Sequence, residues 1–285
     1  MSRDLRDRTG GVDGGSDGDR DDDDRGTDRS GGAAAVPPDG TARSATLSTG
    51  HRVALPLRCR ARAGGVVLAS DRDPLRAAVP EPLAPIRVAP GTGLVTLVGV
   101  TYEAVDEGSI DPYDEVGAIV PVTRAPGGLP VPSRRLGVGG YVHALPVTSE
   151  VSVALGREIW GYPKRVARID VRIDDEGRRL IVALDEHGPE PGVRLWTSAR
   201  RRRVLSGVLD GYTVRDGRVV RGTVAASADV RFGLGGGPDT RLSLGTGPTA
   251  DALRALGLDD DVRVVGRFVA DELRAAIGPP VAVEE

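Results

Sequence analysis

The chain has 285 residues, 39% of them hydrophobic, and a net charge of −3, enough material to bury a core in one large domain or two small ones. No apolar run approaches the roughly 18 residues of a membrane span, and the acidic, glycine-rich start lacks the basic-then-apolar order of a secretory signal, so a cytoplasmic protein is expected. Cys59 is the single cysteine, which excludes an internal disulfide framework or a thiolate metal cluster within one chain, and past residue 50 the 30 acidic and 31 basic side chains balance, leaving no basic face for nucleic acid.

Residues 1–50 carry almost no large apolar side chains and read as a disordered acidic tail, followed by one domain over 51–285. The aspartate run Asp21 to Asp24 lacks the spaced ligands of a calcium loop and reads as solvated linker. From His51 on, short β-branched runs separated by glycine, proline and aspartate predict strands: 93–102, 117–122, 166–173, 180–184 and 219–225. An antiparallel, mainly β domain of α+β type follows. Helical signals are few. Ser70-Asp71 before DPLRAAV predicts one helix; Thr148 or Ser149 opens a second through SEVSVALGREIW, stopped by Gly161 and Pro163; and Thr249 opens a third, ADALRAL, closed by Gly257.

Several motifs carry little chemistry. Arg200 to Arg203 reads as a solvated turn or an oligomer contact, and GLGGGP at 233–238 as a glycine turn, since no lysine follows to make a phosphate loop. His51, His143 and His187 show no metal-ligand spacing, so no metal or other cofactor is implied. Arg157 beside Glu158 reads as scaffold ion pairing.

The stretch GREIWGYPKR, 156–165, holds the only lysine, Lys164, in a chain with 37 arginines. Arginine cannot give up its proton in a protein and lysine can, so a neutral amine is the main reason to keep one lysine. At pH 7 an unperturbed lysine is neutral in less than about one part in a thousand; making it mostly neutral takes a fall of about three to four in pKa, on the order of 4 to 5 kcal/mol. The preceding helix C-terminus opposes this. Desolvation by Trp160, Tyr162 and Pro163 is expected to supply the larger part, and the cation of Arg165 the rest.

The surrounding text resembles the acetoacetate decarboxylase family. GREIWGYPKR is similar to the family's active-site segment, DPLRAAVPEPL (73–83) to its early helix and exit, YDEVGAIVPV (113–122) to the segment with its active-site glutamate, GYVHALPVTSE (140–150) to the run into the lysine, and GPDTRLSL (237–244) to a late strand. The resemblance implies a β-barrel or cone with a few short helices, a homo-oligomer, and a cofactor-independent carbon–carbon lyase acting on a small keto acid. Lys164 would form an iminium with a β-keto acid such as acetoacetate, Glu115 would orient the site or assist proton transfer, and Tyr162, Trp160 and His143 would line the pocket, His143 being equally readable as structural. The protonated imine acts as an electron sink for decarboxylation to a ketone and CO2. Three positions depart from the family: Arg165 replaces a second lysine, Thr96 is the nearest match to a second acid, and Ala61, between Arg60 and Arg62, falls where a substrate-binding arginine is expected. Two alternatives therefore stay open: an aldolase-dehydratase joining pyruvate and an aldehyde through the same lysine, and a barrel that binds a small carboxylate without turnover.

Overall fold

The computed structural model describes residues 36–124, 139–185 and 192–284. His187 and tail residues 1–35 lie outside them. In chain order a small hairpin, β1 (Ser44–Thr46) and β2 (Arg52–Ala54), precedes the long strand β3 (Leu57–Asp71). Helix α1 (Arg72–Ala78) and β4 (Ala84–Pro85) lead to β5 (Thr92–Val105), β6 (Tyr113–Thr123) and β7 (Gly139–Val147). Helix α2 (Glu150–Trp160) then delivers β8 (Lys164–Val166) and β9 (Arg168–Ile173). There follow β10 (Arg179–Asp185), β11 (Val193–Ser198), β12 (Arg201–Arg215), β13 (Arg218–Leu234), β14 (Arg241–Leu244), α3 (Pro248–Ala255), β15 (Val264–Ile277) and β16 (Val281–Ala282).

Seven strands close into a barrel in the order β6, β5, β3, β15, β13, β12, β7, with β7 pairing back onto β6. The expected antiparallel barrel stands with one amendment: β7 runs parallel to β12 and to β8, so the sheet is mixed. Alternation along β3 shows why it sits in the wall. Leu57, Cys59, Ala61 and Ala63 are buried, while Arg58 and Arg60 between them are exposed. Ala61, Ala63, Val100, Ala228 and Ala270 share an interior cluster. The opposite face of the same strands, through Val66, Leu68, Val95 and Leu97, packs against Leu180, Val182 and Leu195 of a second antiparallel sheet, β14-β11-β10-β9.

Helix α2 matches its sequence signals. Ser149 Oγ accepts from Ser152 N, and Gly161 closes the helix at φ 72°, a left-handed conformation that glycine adopts without steric cost. The third helix starts two residues earlier than its signal: Gly247 precedes it and Thr249 is buried in its first turn. Residues 36–50, grouped with the tail by composition, contribute β1 and bury Val36, Ala45 and Leu47 against Leu155, Ile159 and Trp160 of α2. Composition overlooks this because so few apolar side chains are scattered among so many polar ones.

Candidate active site

Lys164 opens β8, directly after the turn that ends α2, and is 4% exposed. Its stem lies against the helix at Gly156, where a Cβ would come within 2.6 Å of Cδ and 2.8 Å of Cε. Glycine at the head of GREIWGYPKR is therefore a packing requirement: the helix surrenders a side chain so that the lysine can enter. Two bonds fix the turn. Arg157 Nε donates to the Lys164 carbonyl at 2.7 Å, and Lys164 N donates to the Tyr162 carbonyl at 2.7 Å.

Three side chains meet the lysine nitrogen. Nζ is 2.8 Å from Glu115 Oε2, donates to Ser152 Oγ at 2.8 Å and to Tyr113 Oη at 3.4 Å, and sits 5.2 Å from the Tyr113 ring centre. Glu115 Oε2 is at ion-pair distance without a well-aligned hydrogen bond, while Oε1 accepts from Tyr102 Oη at 3.4 Å. The rings of Tyr102 and Tyr113 stack with centroids 4.6 Å apart. Topology explains the meeting: Glu115 is opposite Val100 across β5 and β6, Tyr113 is opposite Tyr102, and Lys164 enters from β8 at Leu145 of β7.

Burial is the largest single influence on the Lys164 charge and pulls the pKa down, as expected from the sequence. The Glu115 carboxylate, followed by Tyr113, outweighs it, so the net direction is upward. The resting amine is an ammonium in an ion pair. This corrects the expectation of a lysine held neutral by desolvation, because sequence reading had no distance between Lys164 and Glu115. Burial also drives the neighbouring acids up: Tyr113 and Tyr162 to about 12, and Tyr102 well above its ordinary value, Glu115 adding to the rise in each.

The other expected residues divide. Tyr162 feels the Lys164 charge and stacks on Trp160 at 5.8 Å; Trp160 is buried with Nε1 donating to the Gly278 carbonyl at 2.9 Å. Arg165 is placed elsewhere. Adjacent strand residues point to opposite faces, and its guanidinium donates to Thr249 Oγ1 on α3. The His143 ring is 6.4 Å from Tyr141, with burial lowering its pKa and the Ala252 backbone of α3 opposing. Arg157 and Glu158 form no pair with each other: Arg157 holds Lys164, and Glu158 accepts from Ser48 N at 3.0 Å and Ser48 Oγ at 2.5 Å.

Ser152, Tyr113 and Tyr102 were not anticipated. Signals existed: Ser152 and Gly156 are four apart on one helix face, and Tyr113 and Glu115 two apart on one strand face. Of the two arginines flanking Ala61, Arg62 is fully engaged, bonding Asp271 at 2.8 Å and the carbonyls of Ile173 and Asp174. Arg60 instead lines a cavity of about 800 Å3 with Arg58, Arg274, Glu107 and Cys59. Lys164 does not line it. The Cys59 thiol, pushed up to about 12 by burial, also feels the charges of Lys164 and Glu115.

A family model described as acetoacetate decarboxylase matches residues 45–191. Acetoacetate decarboxylase 1 of Bradyrhizobium diazoefficiens is 32% identical over 111 residues, 38% of this chain and 36% of that protein. The acetoacetate decarboxylase of Bordetella avium is 32% identical over 124 residues, 42% of this chain and 41% of that protein. The matched stretches thus span less than half of these relatives. Among solved structures, the acetoacetate decarboxylase of Legionella pneumophila superimposes with TM-score 0.55 at 17% identity, covering 80% of this chain and 87% of that one. The enduracididine biosynthesis enzyme MppR, complexed with the condensation product of pyruvate and imidazole 4-carboxaldehyde, gives 0.58 at 16% identity, covering 79% and 88%. At these identities the structural likeness establishes the fold.

Proposed function

Because the chain belongs to the acetoacetate decarboxylase family, we propose that it decarboxylates a β-keto acid through an iminium on Lys164. The carrying observation is the buried Lys164–Glu115 contact of 2.8 Å. The ammonium first passes a proton to Glu115, a transfer that keeps the site's net charge unchanged and so avoids burying an unpaired ion. The free amine attacks the ketone carbon. Glu115, now protonated, returns the proton to the carbinolamine oxygen, which leaves as water, and the iminium forms. The bond to the carboxylate breaks, its electron pair moves into the iminium and CO2 departs. The resulting enamine takes a proton at carbon, and water hydrolyses the new iminium to the ketone and Lys164.

Tyr113 and Ser152 hold Nζ against Glu115 during these transfers. Arg62, committed to three partners, is not the residue that meets the substrate carboxylate. The test is trapping with borohydride in the presence of acetoacetate. A mass increase on the Lys164 peptide with CO2 release, both lost in Lys164→Ala, is expected. No adduct with any keto acid, together with full activity in Lys164→Ala, would sink the proposal.

A second reading has its own support. Ala61 and its small apolar neighbours leave the barrel interior without an arginine at the expected point, and the MppR complex shows a pyruvate condensation product on a related fold. An aldolase-dehydratase would consume pyruvate plus an aldehyde without releasing CO2. A carboxylate-binding barrel without turnover would leave no borohydride adduct at all.

A further inference from the structure

Three exposed arginines meet on one face of β3 and β15. In register, Arg60 of β3 lies opposite Arg274 of β15, Arg274 opposite Ser227 of β13, and Ser227 opposite Ser206 of β12. Arg58, two residues before Arg60, shares its face and lies opposite Ala276, itself opposite Ala225. The row thus runs from guanidiniums to hydroxyls, with small alanines leaving room beside it. All of these side chains line the cavity of about 800 Å3.

None of the three guanidiniums has an ion-pair or hydrogen-bond partner among the described residues, and Glu107, in the same cavity, pairs with none of them. Exposed arginines elsewhere are matched: Arg172 with Asp170, Arg178 with Glu176, Arg202 with Asp229 and Arg254 with Asp251. Like charges directly opposite each other destabilise a strand pair, and Arg60 against Arg274 is such a pair. An anion seated between them turns that repulsion into attraction.

We propose that this cavity binds a small organic di- or triphosphate. A carboxylate is planar, and one guanidinium fork satisfies it. Here donors come from two neighbouring strands, from a point one pleat along β3, and from hydroxyls on the far bank, so they approach from several directions. Tetrahedral phosphate oxygens accept from such a spread, and linked phosphates extend from the arginines towards the serines. A volume of about 800 Å3 exceeds what one phosphate fills and suits an organic ligand, whose apolar part would lie on Ala225, Ala276 and Val208. The site shares no side chain with the contacts of Lys164, so it stands or falls apart from the reaction proposed there.

Calorimetric titration of the full chain with inorganic pyrophosphate at low ionic strength should show one saturable site per chain. Arg60→Gln and Arg274→Gln should each weaken binding about tenfold or more, the loss of one charge-assisted contact, whereas Arg172→Gln, which removes an arginine already paired with Asp170, should not change it. Lys164→Ala should bind as the unaltered chain does. Citrate, of comparable charge, should bind at least about tenfold more weakly. Pyrophosphate should raise Tm in the unaltered chain and not in Arg60→Gln/Arg274→Gln, whose far-ultraviolet circular dichroism should match. Absence of saturable binding overturns the proposal, as does binding that survives the double variant or is lost in Lys164→Ala. Equal affinity for citrate overturns the phosphate class.

Discussion

Replacing Glu115 by glutamine isolates the contact on which the mechanism rests. Opposite unit charges 2.8 Å apart interact by about 6 kcal/mol at an effective dielectric constant of ~20, equivalent to about four in the lysine pKa. With the carboxylate gone, burial is the dominant influence left, and it favours the neutral amine. The wild-type amine should titrate above the ordinary 10.5 and the variant well below it. Lys164 is the only lysine, so the rate of its modification by an amine-selective reagent, followed against pH by peptide mass, reads this inflection directly. Turnover should move the other way, falling at least about a hundredfold, because the amine is free but the proton relay is lost. An inflection at or above the wild-type value, or an unchanged kcat, would refute the reasoning.

Gly156→Ala should push the Lys164 stem out of its groove, costing about 1 to 3 kcal/mol in denaturant unfolding and lowering kcat more than KM rises. Arg62→Ala, which severs an ion pair and two carbonyl contacts, should lower the unfolding midpoint, whereas Arg60→Ala, on the exposed face of β3, should leave it unchanged; equal losses would refute the contrast. His143 has a folded pKa lowered by burial, so the unfolded chain takes up a proton first as pH falls through about 6.5, and stability drops below that point. His143→Gln should flatten that part of the stability profile measured between pH 7.5 and 5.

What could be read from the sequence was local. Ser149, Gly161 and Pro163, all within fifteen residues, define α2 and its turn, and so place Lys164 at the start of a strand. Strands such as β5 and β10 were legible from β-branched runs, but not the start of β12, where Arg201 to Arg203 read as a turn, nor the parallel pairing of β7 with β12 and β8, which depends on partners remote in sequence. The same limit reversed the lysine pKa, because Glu115 acts across three strands. Arg165 was misplaced for the opposite reason: nearness along the chain suggested nearness in space, whereas a pleated strand sends consecutive side chains apart.

Ser48 holding Glu158 has a practical meaning for where this protein can be cut. Beginning the chain at residue 51, where composition puts the domain boundary, would remove Ser48 and also strip Val36, Ala45 and Leu47 from the cluster shared with Leu155 and Ile159. The helix so exposed is the one that cradles and steers Lys164. A shortened version starting near residue 36 should keep its activity. One starting at 51 should lose it from a distance, with every residue that touches Lys164 still present.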